Sequence, residues 1–179
     1  MRKTGDKIKM VHLVLLTLSA LTLILVQGSL PALPVTPNLV LIIVTYVGQF
    51  YSPIAGLVIS FILGYFLDVA SGTLLGLNSF SMVSLCYLSF VLGKRIVMQS
   101  GLAQTLTIFI FSIIYSGIVY SLFSFFSINI SIFPFARTAV GNGIVTAILS
   151  PILITAIKRM ERILRFENER DEGSKDIKV

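Results

Sequence analysis

Apolar positions in this chain come in long, almost unbroken runs rather than alternating with polar ones. Bounded by proline, glycine and charge, the runs predict six helices, over about 10–27, 38–51, 54–70, 79–93, 102–126 and 136–157. Lipid imposes such a pattern. A span needs about 20 apolar residues to cross about 30 Å of hydrocarbon, and only helices and closed barrels satisfy every backbone group there. The second run is short by this measure and is pinned between Pro37 and Pro53. One long helix over 38–67, kinked at proline, is the alternative reading of that region.

Composition sharpens this picture. Hydrophobic residues make up 55% of the 179 positions and charged residues only 12%, with a mean hydropathy of +0.94. A soluble domain carries about 25% charged residues. Between Met10 and Ile157 the charged side chains are Asp68, Lys94, Arg95 and Arg137 alone, too few to cover an aqueous surface. The chain therefore reads as an all-α polytopic membrane protein. It divides into a six-helix transmembrane domain over 1–157 and a basic tail over 158–179.

Charge asymmetry sets the expected topology. With six spans and both termini in the cytoplasm, 13 of the 14 Lys and Arg face inward, leaving Arg137 outside. Five spans would move Lys94, Arg95 and the tail outward, against the positive-inside bias. The basic start (Arg2, Lys3, Lys7, Lys9) followed by an apolar run has the form of a signal peptide. Proline crowds the only candidate cleavage region, Gly28–Ala32, so a retained helix is expected. The prolines of Leu30–Pro37 suit an extended outer segment, and Ser127–Pro134 forms a short apolar outer loop. Lys158, Arg162 and Arg165 share a face of a helix continuing to about Arg170, suited to anionic lipid or to a cytoplasmic partner. The polar residues beyond Asp171 read as disordered.

The third run carries the strongest pattern. Gly56, Ser60, Gly64, Asp68, Gly72 and Gly76 recur at every fourth position, which keeps them near one helical face. Small side chains there let a neighbouring helix approach closely, so this helix is expected at the centre of the bundle. Weaker versions occur at Ser112–Ser116 and Gly117–Ser121 in the fifth run, and at Ala139, Gly143 and Ala147 in the sixth.

Asp68 ends that face and is the only acid between Asp6 and Glu161. It stands about 20 Å along the helix from Ile54, where a carboxylate must be paired, hydrated or functional. Two readings stand. Asp68 bonds the backbone amides of the Ser71–Asn78 loop or pairs with Arg137, or it grips a partner helix or a ligand. Asn38 and Asn78 open the second and fourth helices, where Asn serves as an N-cap.

Chemistry beyond this is sparse. His12 is the single histidine and reads as an interfacial residue. Cys86, the single cysteine, reads as a small buried hydrophobe. No catalytic constellation, metal site, cofactor or nucleic-acid partner is expected.

Three segments together resemble the MreD family of bacterial rod-shape-determining membrane proteins. They are Pro37-Asn38-Leu39, Gly64 with Asp68 four residues on, and Ser71-Gly72 leading to Gly76-Leu77-Asn78. The resemblance implies a non-catalytic, multi-pass protein of the bacterial cytoplasmic membrane, a scaffold of the cell-elongation machinery. It also implies that the protein binds MreC and helps couple MreB filaments to the peptidoglycan synthases. The family would carry a basic residue where Thr36 stands. A runner-up is the substrate-binding component of an energy-coupling factor vitamin transporter. That component should carry a small-xxx-small motif on its first helix, and no small residues stand four apart between Leu13 and Val26.

Overall fold

The computed structural model describes residues 2–29, 37–72, 74–93, 101–126 and 131–176. Six helices run through them: α1 (Arg2–Ser29), α2 (Leu39–Phe50), α3 (Pro53–Ser71), α4 (Leu77–Gly93), α5 (Gly101–Phe125) and α6 (Ile132–Asp176). The described residues contain no strand. The proline-rich segment before Pro37, the Lys94-Arg95 loop and residues 127–130 lie outside them.

The second and third apolar runs are two helices, not one kinked helix. The Tyr51 N–H still closes onto the Val47 carbonyl at 3.0 Å, ending α2, and Tyr51 itself is extended. Pro53 then starts α3 at its first position, where its missing N–H costs no helix bond. The chain folds back on itself there, and a Cβ at Gly56 would lie 3.7 Å from Val47 Cγ1.

The centre of the bundle belongs to α2 rather than to α3. All nine residues from Val40 to Gly48 are buried, while α3 buries its small-residue stripe and leaves Ile54, Val58, Phe61, Tyr65 and Val69 exposed. The physical reason lies in what each pattern permits. A stripe of small residues admits one close neighbour on one side. A helix apolar all round can be surrounded. The β-branched run Val-Leu-Ile-Ile-Val-Thr would favour a strand in isolation, but here it is enclosed by five other helices.

On α1, His12, Leu16, Ala20 and Ile24 are buried at four-residue intervals, so one face turns inward and the rest stays exposed. His12 is thus a core residue, 1% exposed and hydrogen-bonded through Nδ1 with the Tyr51 hydroxyl, not a surface residue at the edge of its helix. Cys86 is buried against the glycines of α2 and α3. Helix α6 continues without a break to Asp176, past the end expected near Arg170. At 1.5 Å per residue its 45 residues extend about 68 Å.

Candidate functional site

Helices α3 and α4 meet through backbone rather than side chains. A Cβ added at Gly64 would stand 2.4 Å from Ser79 Cα and 2.7 Å from Ser79 N. Only glycine allows that approach. It sets α3, two turns before its end, directly against the first turn of α4. Between them the chain reverses through Gly72, in the left-handed conformation at φ 63°, and Gly76 at φ 96°, both conformations that favour glycine.

One turn after Gly64, Asp68 lies fully buried. Its Oδ2 accepts from Gly76 N at 2.9 Å and its Oδ1 from Asn78 N at 2.9 Å. Ser79 adds its N–H at 3.4 Å and its hydroxyl at 3.3 Å, both to Oδ2. Asn78 and Ser79 supply first-turn amides of α4, which otherwise have no helical partner, and Gly76 stands just before the helix. Asp68 therefore caps α4 from a neighbouring helix, and the positive end of the helix dipole faces its charge. A carboxylate buried in apolar surroundings is tolerable on those terms. Arg137, the other candidate partner, is exposed on α6, and no ion pair joins it to Asp68.

The two asparagines differ. Asn38 is the N-cap of α2, its side chain accepting from Leu41 N at 3.1 Å. Asn78 stands inside α4 rather than at its cap, and its Oδ1 accepts a hydrogen bond from the Tyr115 hydroxyl on α5. The Asn38 side chain stands near the Tyr115 hydroxyl, and the Asn38 N–H donates to Thr146 Oγ1 of α6 at 2.9 Å. Asp68, Asn78 and Tyr115 thus form one hydrogen-bonded group, Asn38 and Thr146 a second beside it, and together they draw on five helices, starting at the end of α3. Pro37 precedes Asn38, half-buried.

The remaining small residues take several positions. Gly56 and Ser60 are buried facing α4, with a Gly56 Cβ 3.1 Å from Cys86 Sγ. Gly143 is buried against Phe109 and Ser112 of α5, and Ala147 is buried one turn further along α6. Gly117 has open space around it. A Cβ added at Gly48 of α2 would stand 2.7 Å from the Cys86 carbonyl oxygen; the four-residue spacing reaches back to it through Ser52, but across the break between α2 and α3, so it is not part of the α3 face. No spacing in the sequence marks Tyr115 or Thr146. Their only signal is a hydroxyl within an apolar helix.

Chemically, the cluster is a clamp. The acceptors of Asp68 and Asn78 and the donor of Tyr115 are engaged with one another or with backbone. Among the described residues no three His, Cys, Asp or Glu side chains come together to hold a metal.

Three helical segments, Pro53–Ser71, Leu102–Phe125 and Ile132–Ile163, are long and apolar enough to cross a membrane, and three shorter apolar segments accompany them. Apolar helices joined by buried polar contacts at their ends define the class: an all-helical membrane protein. A family model described as rod shape-determining protein MreD matches residues 4–160, taking in the whole Asp68 cluster. The chain belongs to the MreD family, whose members determine rod shape. No curated protein and no solved structure matches it.

Proposed function

We propose that the protein is a non-catalytic scaffold of the bacterial cell-elongation complex, carried by the family match over residues 4–160. In this reading it lies in the cytoplasmic membrane, binds MreC and helps couple MreB filaments to the peptidoglycan synthases. Chemistry agrees with a holding role, since the buried polar groups join helices to each other. The apolar faces left exposed on α3, α5 and α6 are then surfaces for lipid and for partner helices.

The same reading has six spans with both termini inside. A helix of 12 residues such as α2 covers only about 18 Å, short of the hydrocarbon thickness, but its burial by protein relieves it of that match. The reversal at Tyr51–Pro53 and the joining of the end of α3 to the start of α4 support alternating spans. Lys158, Arg159 and Arg162 are exposed on α6, where anionic lipid would meet them. Cysteines introduced in the loop 94–101 and in the tail 158–179 are expected to react with impermeant reagents only from the cytoplasmic side. Labelling of either from outside overturns this topology.

The partner reading is tested by crosslinking in the membrane and identifying what is captured. Recovery of an MreC-like bitopic protein together with wall synthases is expected. Capture of a paired-ATPase module in their place would assign the protein to transport.

A further inference from the structure

The short connection from Gly93 to Gly101 makes α4 and α5 antiparallel neighbours. One face of α4 carries the buried residues Asn78, Met82, Leu85 and Ser89. One face of α5 carries buried Gln104, Ile108 and Phe111, with half-buried Tyr115. Both sets step by four, three and four residues, which holds each to a single face. In helices apolar all round, burial rather than hydropathy picks these faces out. At one end of the seam the Tyr115 hydroxyl donates to Asn78 Oδ1. Eleven residues separate Asn78 from Ser89 and Gln104 from Tyr115, close to three whole turns, or about 16 Å. Ser89 and Gln104 therefore oppose each other at the end away from Asp68, as Asn78 and Tyr115 do beside it.

Here neither polar group takes a partner among the described residues. Ser89 is 0% exposed and Gln104 7%, and Ser89 Oγ and Gln104 Nε2 are both buried without a hydrogen bond. Hydroxyls nearby behave otherwise. Ser81 and Ser84 on α4, and Thr107 and Ser116 on α5, each donate to a carbonyl of their own helix, the usual recourse of a hydroxyl in a helix interior. Ser89 makes no such bond to its own backbone, and α2 closes on it, since a Cβ at Gly48 would stand 2.9 Å from Ser89 Cβ. Two buried polar groups left unmade in apolar surroundings are costly. The two side chains fall short of each other. Fully extended, Ser and Gln together reach about 3 Å less than Asn and Tyr.

We propose that Ser89 and Gln104 form a binding site for one ordered water, which bridges Ser89 Oγ and Gln104 Nε2 and fastens α5 to α4 at this end. The shortfall of about 3 Å is one water diameter. Chemistry selects the same guest. Nε2 brings only donors, which repel a cation, and neither side chain carries a charge to hold an anion. Water both donates and accepts, so it serves whichever end of the amide faces it, and two polar partners meet what a buried water requires. The seam is then apolar in its middle and closed by a polar link at each end, direct at Asn78 and water-borne at Ser89. This site is separate from the clamp at Asp68 and holds whichever partner the scaffold binds.

The test uses the full chain, with heavy nitrogen at glutamine, in nanodiscs of phosphatidylethanolamine and phosphatidylglycerol. In nuclear magnetic resonance spectra the Gln104 side-chain signal is the one that Gln104→Met removes. It is expected to receive magnetisation from water, and Ser89→Ala is expected to cut that transfer at least threefold, because the water loses one of its two partners. No transfer, or transfer that Ser89→Ala leaves intact, overturns the bridge. Stability decides by its sign. With the bridge, Ser89→Ala removes a hydrogen bond and should lower the melting temperature by about 3 °C. An unbridged hydroxyl is a buried group whose removal relieves desolvation, so a melting temperature that holds or rises overturns the proposal. Gln104→Met should lower the melting temperature at least twice as much alone as in the Ser89→Ala background. Equal losses in both backgrounds overturn the link between the two residues.

Discussion

Gly64→Ala is expected to force α3 and α4 apart and to lower the melting temperature of the protein in detergent by on the order of 10 °C. The added methyl would stand 2.4 Å from Ser79 Cα and 2.7 Å from Ser79 N. Both are backbone atoms of a helix, so no rotamer change relieves the clash. Overpacking usually costs about 1–3 kcal/mol. The rigid neighbours place this substitution at or above the upper end. Separation of the helices also pulls the Asp68 carboxylate from the α4 amides, so the loss extends beyond van der Waals contact. Gly117→Ala is the matched control, since a Cβ there meets nothing within 4 Å and alanine is the better helix former. Thermal unfolding followed by circular dichroism separates the two. A Gly64→Ala protein that melts with the wild type would refute the close contact between α3 and α4.

Asp68→Ala is expected to be the most damaging of the polar substitutions. It leaves the N–H groups of Gly76 and Asn78 without their acceptor, at about 1–3 kcal/mol for the buried one of Asn78 and less for that of Gly76, which water can reach. Asp68→Asn retains one carbonyl oxygen and loses the charge facing the helix dipole, so its melting point should fall between wild type and Asp68→Ala. Tyr115→Phe removes one donor to Asn78 and should cost about 1 kcal/mol. Asp68 and Tyr115 both act on Asn78, so the double variant should deviate from additivity by more than about 0.5 kcal/mol. The same series distinguishes the two roles first open to Asp68. A capping carboxylate loses stability with every step. A carboxylate that grips a partner would leave the melting point unchanged in Asp68→Ala and abolish only recovery of the complex.

Much of this site is legible in the sequence. The four-residue spacing of Gly56, Ser60, Gly64 and Asp68 identifies a helix face made for close approach, and a lone acid in an apolar run must have partners. Spacing also separates Asn38 and Asn78 from the hydrophobic background. What it does not reveal is the partner each one takes. Asn38 caps its own helix, a local interaction that neighbouring residues suffice to encode. Asn78 binds Tyr115, 37 residues away, and nothing local marks that pairing. Arg137 looks like a counter-ion by chemistry, yet it sits on the exposed side of α6, whose rotation turns Gly143 against Phe109 and Ser112 of α5. His12 has the composition of an interfacial residue and lies in the core because Tyr51 and Glu161 come to it from two other segments.

By itself, then, the amino-acid sequence determined the helical membrane character, six apolar segments, the small-residue face of α3 and membership of the MreD family. The tertiary structure alone decided that α2 is the centre, that Asp68 caps α4, that Tyr115 and Thr146 join the polar cluster, and that α6 is tied to α2 through Thr146 and through Glu161. The reason is physical. In water an apolar face points to the core, so periodicity reports burial. In lipid both the core face and the outer face are apolar, and hydropathy cannot distinguish a helix surrounded by protein from one surrounded by lipid. That distinction rests on which distant segments fit together, through glycines that admit a backbone and single hydroxyls that find a carbonyl.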